Sequence, residues 1–312
     1  MWLASFWRRT GAFLIDLVVL ALIGHVLAFF LEDFFVGLGQ FGPLVGFGVA
    51  LSYFAPMSSA LCDGQTLGKR VLKIRVVGPT NAPVGLGKSM IRYVVLCAPY
   101  FLNGVGGQDP SAPFAKPVEG LIFVLVVVGG FSIGYLYVFN RVTRQSLHDR
   151  VCNTFVVDAS AEIQKLGKFW KPHFLIILAL LVLTTVSMRS FFSSLPLRDV
   201  SYEGLAESTA ALMQDPSVDG ASVVVRTATV ASLQADTTQG STLIATAFHN
   251  TDRIAEEAFA RSLAELVSKH YGVHNGTEVL TMQLVYGFNI GIASNRRSHV
   301  YQFDLAAFDT NE

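Results

Sequence analysis

The chain has 312 residues, 52% hydrophobic and 15% charged, with 23 basic against 23 acidic side chains and a mean hydropathy of +0.48. Soluble domains carry about a quarter charged residues, so this composition excludes a disordered chain and argues against a wholly soluble one. The zero net charge averages two unlike parts: residues 1–190 hold 16 basic and 9 acidic side chains, residues 191–312 hold 7 and 14. That excludes a basic nucleic-acid footprint from the second part. Cys62, Cys97 and Cys152 all lie in the first part, without metal or redox spacing, so no disulfide framework is implied.

A membrane-spanning helix needs ~20 mostly apolar residues. Five stretches qualify, at about 11–31, 41–61, 89–106, 119–139 and 172–190. The first carries Asp16 and His25, the second Pro43 and Pro56, and the third Arg92 and Pro99. The uncharged run of the fifth is short; Pro172 suits its start, and Phe191 and Phe192 extend it beyond Arg189. Asp16 interrupts what would be the core of a cleaved signal peptide, and no small-residue cleavage site follows before Glu32, so the first span is expected to be retained.

Loop charge sets the expected orientation. Arg8 and Arg9 precede span one, the 32–40 loop has no basic residue, and the 62–88 loop holds Lys69, Arg70, Lys73, Arg75 and Lys88. The 107–118 loop has only Lys116, and segment 140–171 is basic again. This alternation predicts a cytoplasmic N-terminus, five spans in a bacterial-type inner membrane, and a periplasmic or extracellular domain at 193–312. Trp2, Trp7 and Trp170 fall at the expected cytoplasmic interfaces, where indoles prefer to sit.

The cytoplasmic loops carry structure of their own. Residues 70–77 and 154–158 read as short strands that pair with one another, with an amphipathic turn around Val142, Leu147 and Val151 between them. Beyond the fifth span, 201–214 reads as a helix, and 221–230 and 241–248 as strands joined by a polar turn from Gln234 to Gly240. Residues 252–270 form an amphipathic helix that Thr251 can cap and Gly272 can end, and strands follow at about 278–293 and 298–305. The expected architecture is an α-helical integral membrane bundle with a small α+β extracytoplasmic domain. Its divisions are a four-helix part at 1–160, a linker and fifth span at 161–192, and the outer domain at 193–312.

Several motif matches lack the context their chemistry needs. The glycines at 37, 39 and 42 match a dinucleotide fingerprint but sit between two spans, with no preceding strand. Gly87-Lys88-Ser89 resembles the tail of a phosphate loop, yet Ala82 stands at the required earlier glycine. His270 and His274 are separated by Gly272, and together with His249 and His299 they read as surface histidines rather than a metal set. Asn275-Gly-Thr277 fits a glycosylation sequon. No nucleophile or metal constellation appears, so neither an enzyme nor a cofactor is expected.

The charges inside the spans carry more weight. A carboxylate within a bilayer costs at least ~2.5 kcal/mol and normally has a partner or a task. Asp16 lies roughly 8 Å into span one, and Arg9, seven residues earlier, shares its helix face, so Arg9 is one candidate partner. Arg92, at similar depth in span three, is a second, and Asp149 belongs to the same side. Arg9, Asp16, Arg92 and Asp149 thus form a possible inner-leaflet cluster with two readings. Either the charges neutralise one another and lock the helices, or Asp16 exchanges a proton or cation while the arginines tune it.

At these residues the chain resembles the RDD family of membrane proteins, over about residues 5–158. Arg9, Ala12, Ile15 and Asp16 match the opening R-x-x-A-x-x-I-D, and Gln145, Leu147, His148 and Asp149 match the later Q-x-L-H-D. The loop from Gly64 to Arg70, followed by Val76 and Val77, and Arg92 at the opening of span three, resemble the family pattern in between. The resemblance identifies Arg9, Asp16 and Asp149 as the namesake residues and implies transport of a small ion or solute, with cation/proton exchange as one form. Four spans are a small platform, so the resemblance also implies a homo-oligomer or another membrane-protein partner within the lipid. The alternative is a non-catalytic scaffold, sensor or assembly factor acting through 193–312.

Overall fold

The computed structural model describes residues 2–103, 117–162, 164, 167–194, 202–231, 237–271 and 277–308. Two compact units emerge: one holds residues 41–194 together with the first helix as far as Phe30, the other the C-terminal sheet.

The first unit is helical. α1 (Phe6–Gly37) runs 32 residues and breaks at Leu31, where φ is −130° and ψ 25°. α2 (Gly42–Met57) has a proline in its first turn, where the missing N–H leaves nothing unsatisfied. α4 (Leu86–Phe101) carries Pro99 near its end. α5 (Pro117–Val124) passes through a π-helical turn, Leu125–Gly129, into α6 (Gly130–Phe139). Here Pro99 lies against Gly129: a Cβ on that glycine would stand 3.3 Å from the proline ring. α8 (His173–Ser194) meets α6 where the Tyr135 hydroxyl lies 3.2 Å from His173 Nδ1.

Two helices, Phe6–Gly37 and Gly120–Phe139, are long and apolar enough to cross a bilayer. α2 and α4 have 16 residues each, and the apolar part of α8 is His173–Ser187. Along α1, Leu14, Val18, Leu22, Val26 and Phe29 form an exposed apolar stripe at helical spacing. Among the described residues no side chain covers that stripe, so it suits a hydrocarbon environment rather than water.

A small sheet closes one end of this unit. β1 (Ile74–Val77) and β2 (Phe155–Asp158) pair antiparallel, Ile74 opposite Asp158 and Val77 opposite Phe155, as the sequence predicts. The first strand is shorter than expected because Thr66 caps a helical turn, α3 (Leu67–Val71), and the chain reverses at Lys73 with φ 53°. α7 (Leu147–Val151) occupies the expected amphipathic turn.

The N-terminus departs from expectation. Leu3 bridges Val157, the Ala4 amide donates to Val156 O at 3.0 Å, and the Asp158 amide donates to Trp2 O at 2.8 Å. Residues 2–4 therefore act as a third strand. They carry the Trp2 indole into a core with Val77, Phe155 and Val157, leaving it 3% exposed rather than at an interface. Trp7 and Trp170 are exposed. Arg8 ties the sheet to the helices, meeting Asp158 at 2.6 Å and donating to the carbonyls of Leu72 and Lys73. These hydrogen bonds, with those from Ser160, hold the Asp158 carboxyl down at about 2.

The second unit contains α9 (Tyr202–Leu212), α10 (Glu257–Tyr271) and a four-stranded sheet. Its strands are β3 (Val218–Ala231), β4 (Thr237–His249), β5 (Thr277–Asn289) and β6 (Ser294–Asp304), ordered β3-β4-β5-β6. β4 and β5 are parallel and the outer pairs antiparallel, because a helical crossover between β4 and β5 returns the chain in the same direction. Alternate residues Leu243, Ala245, Ala247, Leu280, Met282 and Leu284 are fully buried, and α10 buries Phe259, Leu263 and Val267. Ser208 of α9 donates to Val267 O at 3.1 Å.

Several boundaries differ from the sequence reading: β4 begins at Thr237, inside the expected polar turn, and β6 at Ser294 rather than 298. α10 begins at Glu257, not 252, because residues before it form turns closed by the 2.7 Å Arg253–Glu256 ion pair; Thr251 is not its cap. β5 stops at Asn289, and Gly291, with φ 79°, takes the turn before β6. Gly272, His274 and Asn275, most of the 107–118 loop and residues 234–236 lie outside the described residues.

The turn at Gly64 gives a test of the helical unit's core. Gly64 has φ 71°, and a Cβ there would stand 2.2 Å from Val76 O, the backbone of β1. Gly64→Ala is expected to destabilise by at least about 2 kcal/mol. Gly85→Ala, with nothing within 4 Å of its added Cβ, should leave the melting temperature of purified protein nearly unchanged.

Candidate functional site

Three helices converge on one buried carboxylate. Asp149 sits in the first turn of α7, fully buried. Its Oδ2 lies 2.9 Å from Arg9 Nη2 of α1, and its Oδ1 lies 2.8 Å from Arg92 Nη2 and 2.9 Å from Arg92 Nε of α4. Thr154 Oγ1 donates to Oδ1 at 3.2 Å, and the Ser146 amide to Oδ2 at 3.4 Å. Arg9 also donates to Arg144 O and lies 4.9 Å over the Tyr137 ring. Both arginine side chains are under a tenth exposed.

Burial by itself would raise the Asp149 carboxyl, but His148, Arg92 and Arg9 outweigh it and hold it well below the usual carboxylate range. His148 Nε2 lies 3.4 Å from Asp149 Oδ2. Burial pushes the imidazole down to about 3 despite that carboxylate, with Arg92 and Arg9 adding to the shift, so it is neutral at physiological pH. The turn feeding α7 is fixed by Gln145, whose amide donates to Thr154 O at 3.0 Å, and by Asn140, which donates to Gln145 O at 2.8 Å.

Asp16 stands apart from the guanidiniums. It is fully buried, and its partners are neutral: the Tyr53 hydroxyl at 2.7 Å, the Thr66 hydroxyl at 2.6 Å and the Gly68 amide at 2.8 Å. The carboxylate thereby fastens α3 to α1. Gly68 is required by that approach, since a Cβ would stand 2.0 Å from Ala12 O. The structure brings Arg9, Arg92 and Asp149 together and leaves Asp16 on its own set of donors.

A cavity of about 240 Å³ lies beside these groups, lined by Arg9, Asp16, Lys69, Arg92 and His148 on its polar side. Phe13, Phe54, Leu96 and Ile133 are among its apolar walls. Lys69 reaches it from α3. Its Nζ has only long contacts, 3.4 Å to Ser58 Oγ and 3.3 Å to Thr66 Oγ1, and lies 5.9 Å from the Phe54 ring centroid. Burial and then the Arg92 charge lower the ammonium, against the pull of Asp16, to about 7.

Residues 3–153 match the RDD family. The match covers the helical N-terminal part of the chain and none of the C-terminal sheet. No curated protein and no solved structure matches the chain. The family match covers every residue of the cavity wall except Val156. Arg9, Asp16 and Asp149, the namesake positions of the RDD domain, take two different jobs: one ion triad with Arg92, and one neutral cage. The sequence reading passed over Tyr53, Thr66, Gly68 and Lys69. All but Tyr53 lie in the 64–70 loop, whose family resemblance was the available signal.

Two outcomes follow from the burial of this set. Asp149→Asn leaves two buried guanidiniums without a counter-charge and is expected to lose about 3–5 kcal/mol, enough to prevent recovery of folded protein. Asp149→Asn folding as well as wild type, judged by size-exclusion and thermal unfolding, would contradict the triad. The second outcome is set by His148, whose folded pKa is depressed to about 3. Below the unfolded value of ~6.5, protons favour the unfolded chain, so stability falls from about pH 6.5 down to about pH 3. The melting temperature should drop over that range, and less steeply in His148→Gln.

Proposed function

We propose that the chain is a multi-pass membrane protein that moves a small ion or solute through the cavity beside Asp16, with proton exchange as the coupling step. Membrane character rests on the RDD family match and on the two helices long and apolar enough to cross a bilayer. Five spans, a cytoplasmic N-terminus and an extracytoplasmic C-terminal domain in an inner membrane rest on the alternation of basic and non-basic loops. A homo-oligomer in contact with membrane lipid would extend the small bundle into a pathway. No catalytic step is part of this reading.

The observation that carries it is the cavity itself. Charged groups from α1, α3 and α4 meet there against apolar walls. Ionisable side chains placed inside a membrane bundle are costly, and they line ion or substrate routes where they face a cavity. Asp16 is held without a guanidinium, so a change in its protonation need not break an ion pair.

A second reading assigns the function to the C-terminal unit as a scaffold, sensor or assembly factor. It is favoured by β6, whose residues 294–300 are all exposed on an edge strand. An open edge offers backbone groups to an added strand of a partner.

The test is proton flux in liposomes containing purified protein, driven in turn by a cation gradient and by a carboxylate gradient, wild type beside Asp16→Asn. The amide can still accept from Tyr53 and Gly68, so the variant is expected to fold. Flux in wild type that disappears in Asp16→Asn is the expected outcome. Equal flux in the two, or none in correctly inserted wild type, removes the transport reading and directs attention to the C-terminal unit.

A further inference from the structure

The charges around the cavity do not balance. Arg9, Lys69 and Arg92 line it, and Asp16 is the one carboxylate in the lining, with Asp149 behind it. Both carboxylates are committed: Asp149 to two guanidiniums, Asp16 to three neutral donors. Among the described residues, no carboxylate lies within ion-pair distance of Lys69. Its ammonium has three protons to donate and two hydroxyl contacts of 3.3 Å or longer.

A second observation points the same way. Ser89 Oγ, on a cavity-lining residue of α4, is buried and has no hydrogen-bond partner. Ser89 is 2% exposed. Buried hydroxyls are normally partnered, and an unpartnered Ser89 hydroxyl lining the same cavity as an ammonium without a counter-charge gives donors without an acceptor. With Lys69 protonated, three cationic side chains stand against two carboxylates, Asp16 and Asp149, and the surplus positive charge disfavours a cation. An anion would meet what the site lacks.

The walls set the rest of the ligand. Phe13, Phe54, Leu96 and Ile133 are apolar. The 240 Å³ cavity is larger than the ~150 Å³ apolar cavity that takes a benzene, which is room for a short chain. We infer that this cavity binds a small carboxylate with an apolar body, its carboxylate against Lys69 Nζ and Ser89 Oγ and its chain along Phe13, Phe54 and Leu96. The inference rests on reading the cavity as the substrate site, and it names the substrate class.

Proton coupling follows from the same contact. The charged and titratable groups that face Lys69 are Arg9 and Asp16 from α1, Arg92 from α4, and His148 and Asp149 from α7. Burial, with the Arg92 charge, lowers the Lys69 ammonium to about 7, so its charge can change near neutral pH. A carboxylate favours the charged ammonium, so anion and proton bind together. Affinity is expected to fall as pH rises from 6.5 to 8.5.

The test measures equilibrium binding of octanoate to the full chain in phosphatidylcholine nanodiscs by calorimetry, with empty nanodiscs as background. Saturable binding at pH 6.5 is expected, weakened roughly tenfold or more in Lys69→Met and less in Ser89→Ala. Ser89→Ala carries the comparison if Lys69→Met does not fold. No saturable octanoate binding, or equal binding in wild type and both variants, overturns the proposal. So does octylammonium binding as tightly as octanoate, which denies the charge preference. Inorganic phosphate binding as tightly as octanoate denies the apolar body and overturns it as well. Saturable binding of octanoate that vanishes when phosphatidylglycerol replaces part of the phosphatidylcholine would assign the site to a lipid headgroup instead. Proton flux is read separately: flux without octanoate binding rejects the ligand class and keeps the transport reading, and octanoate binding without flux does the reverse.

Discussion

The structure of the helical unit depends on one carboxylate. Asp149 is buried, and taking a charge out of water is unfavourable unless its lone pairs are filled and a counter-charge is close. Arg9 and Arg92 meet it from two different helices, and a hydroxyl and an amide from its own segment occupy further acceptor positions. Each charge is tolerable only in the presence of the others. α1, α4 and α7 must therefore arrive together, which makes the triad a condition on the assembly of the bundle rather than a contact added to it.

Asp16 does a related job with different chemistry. Its three donors are neutral and come from the end of α2 and from the loop that becomes α3. Neutral donors hold an ionised carboxylate without cancelling its charge, so a negative charge remains beside the cavity. Gly68 permits the close approach, and the same loop presents Lys69 as a short step along α3. One stretch of seven residues thus fixes a carboxylate, builds a tight backbone contact and places an ammonium on the cavity wall.

The two halves of the chain solve different solvation problems. The helical unit leaves a continuous apolar stripe along α1 uncovered and gathers its charges inward, the inverse of a water-soluble bundle. The C-terminal unit buries Leu243, Leu280, Met282, Leu284 and the apolar face of α10, and it carries the acidic excess of the chain. The family match ends at residue 153, so the RDD domain and the second unit reach their functional readings by separate routes.

Local pattern made much of this architecture legible. The strands at 74–77 and 155–158 and their pairing, the order of elements in the C-terminal unit and the stripe of α10 follow from periodicities of two and 3.6, which chain neighbours impose on one another. The namesake residues Arg9, Asp16 and Asp149 were visible as charges in an apolar context, which is expensive and therefore conspicuous. Partner choice was not visible. Seven residues of helix place Arg9 and Asp16 on one face but about 10.5 Å apart along the axis, while Asp149, 140 residues away in sequence, comes within 2.9 Å. Trp2 was misplaced for the same reason: an indole at the start of a chain looks interfacial until a strand from residue 155 onward offers it a pair and a core. The sequence by itself determined which segments are apolar, which are strands and where charge is out of place. The tertiary structure alone decided which charge neutralises which and which one, Lys69, is left over, because electrostatic pairing depends on distance in space and the chain order does not encode that distance.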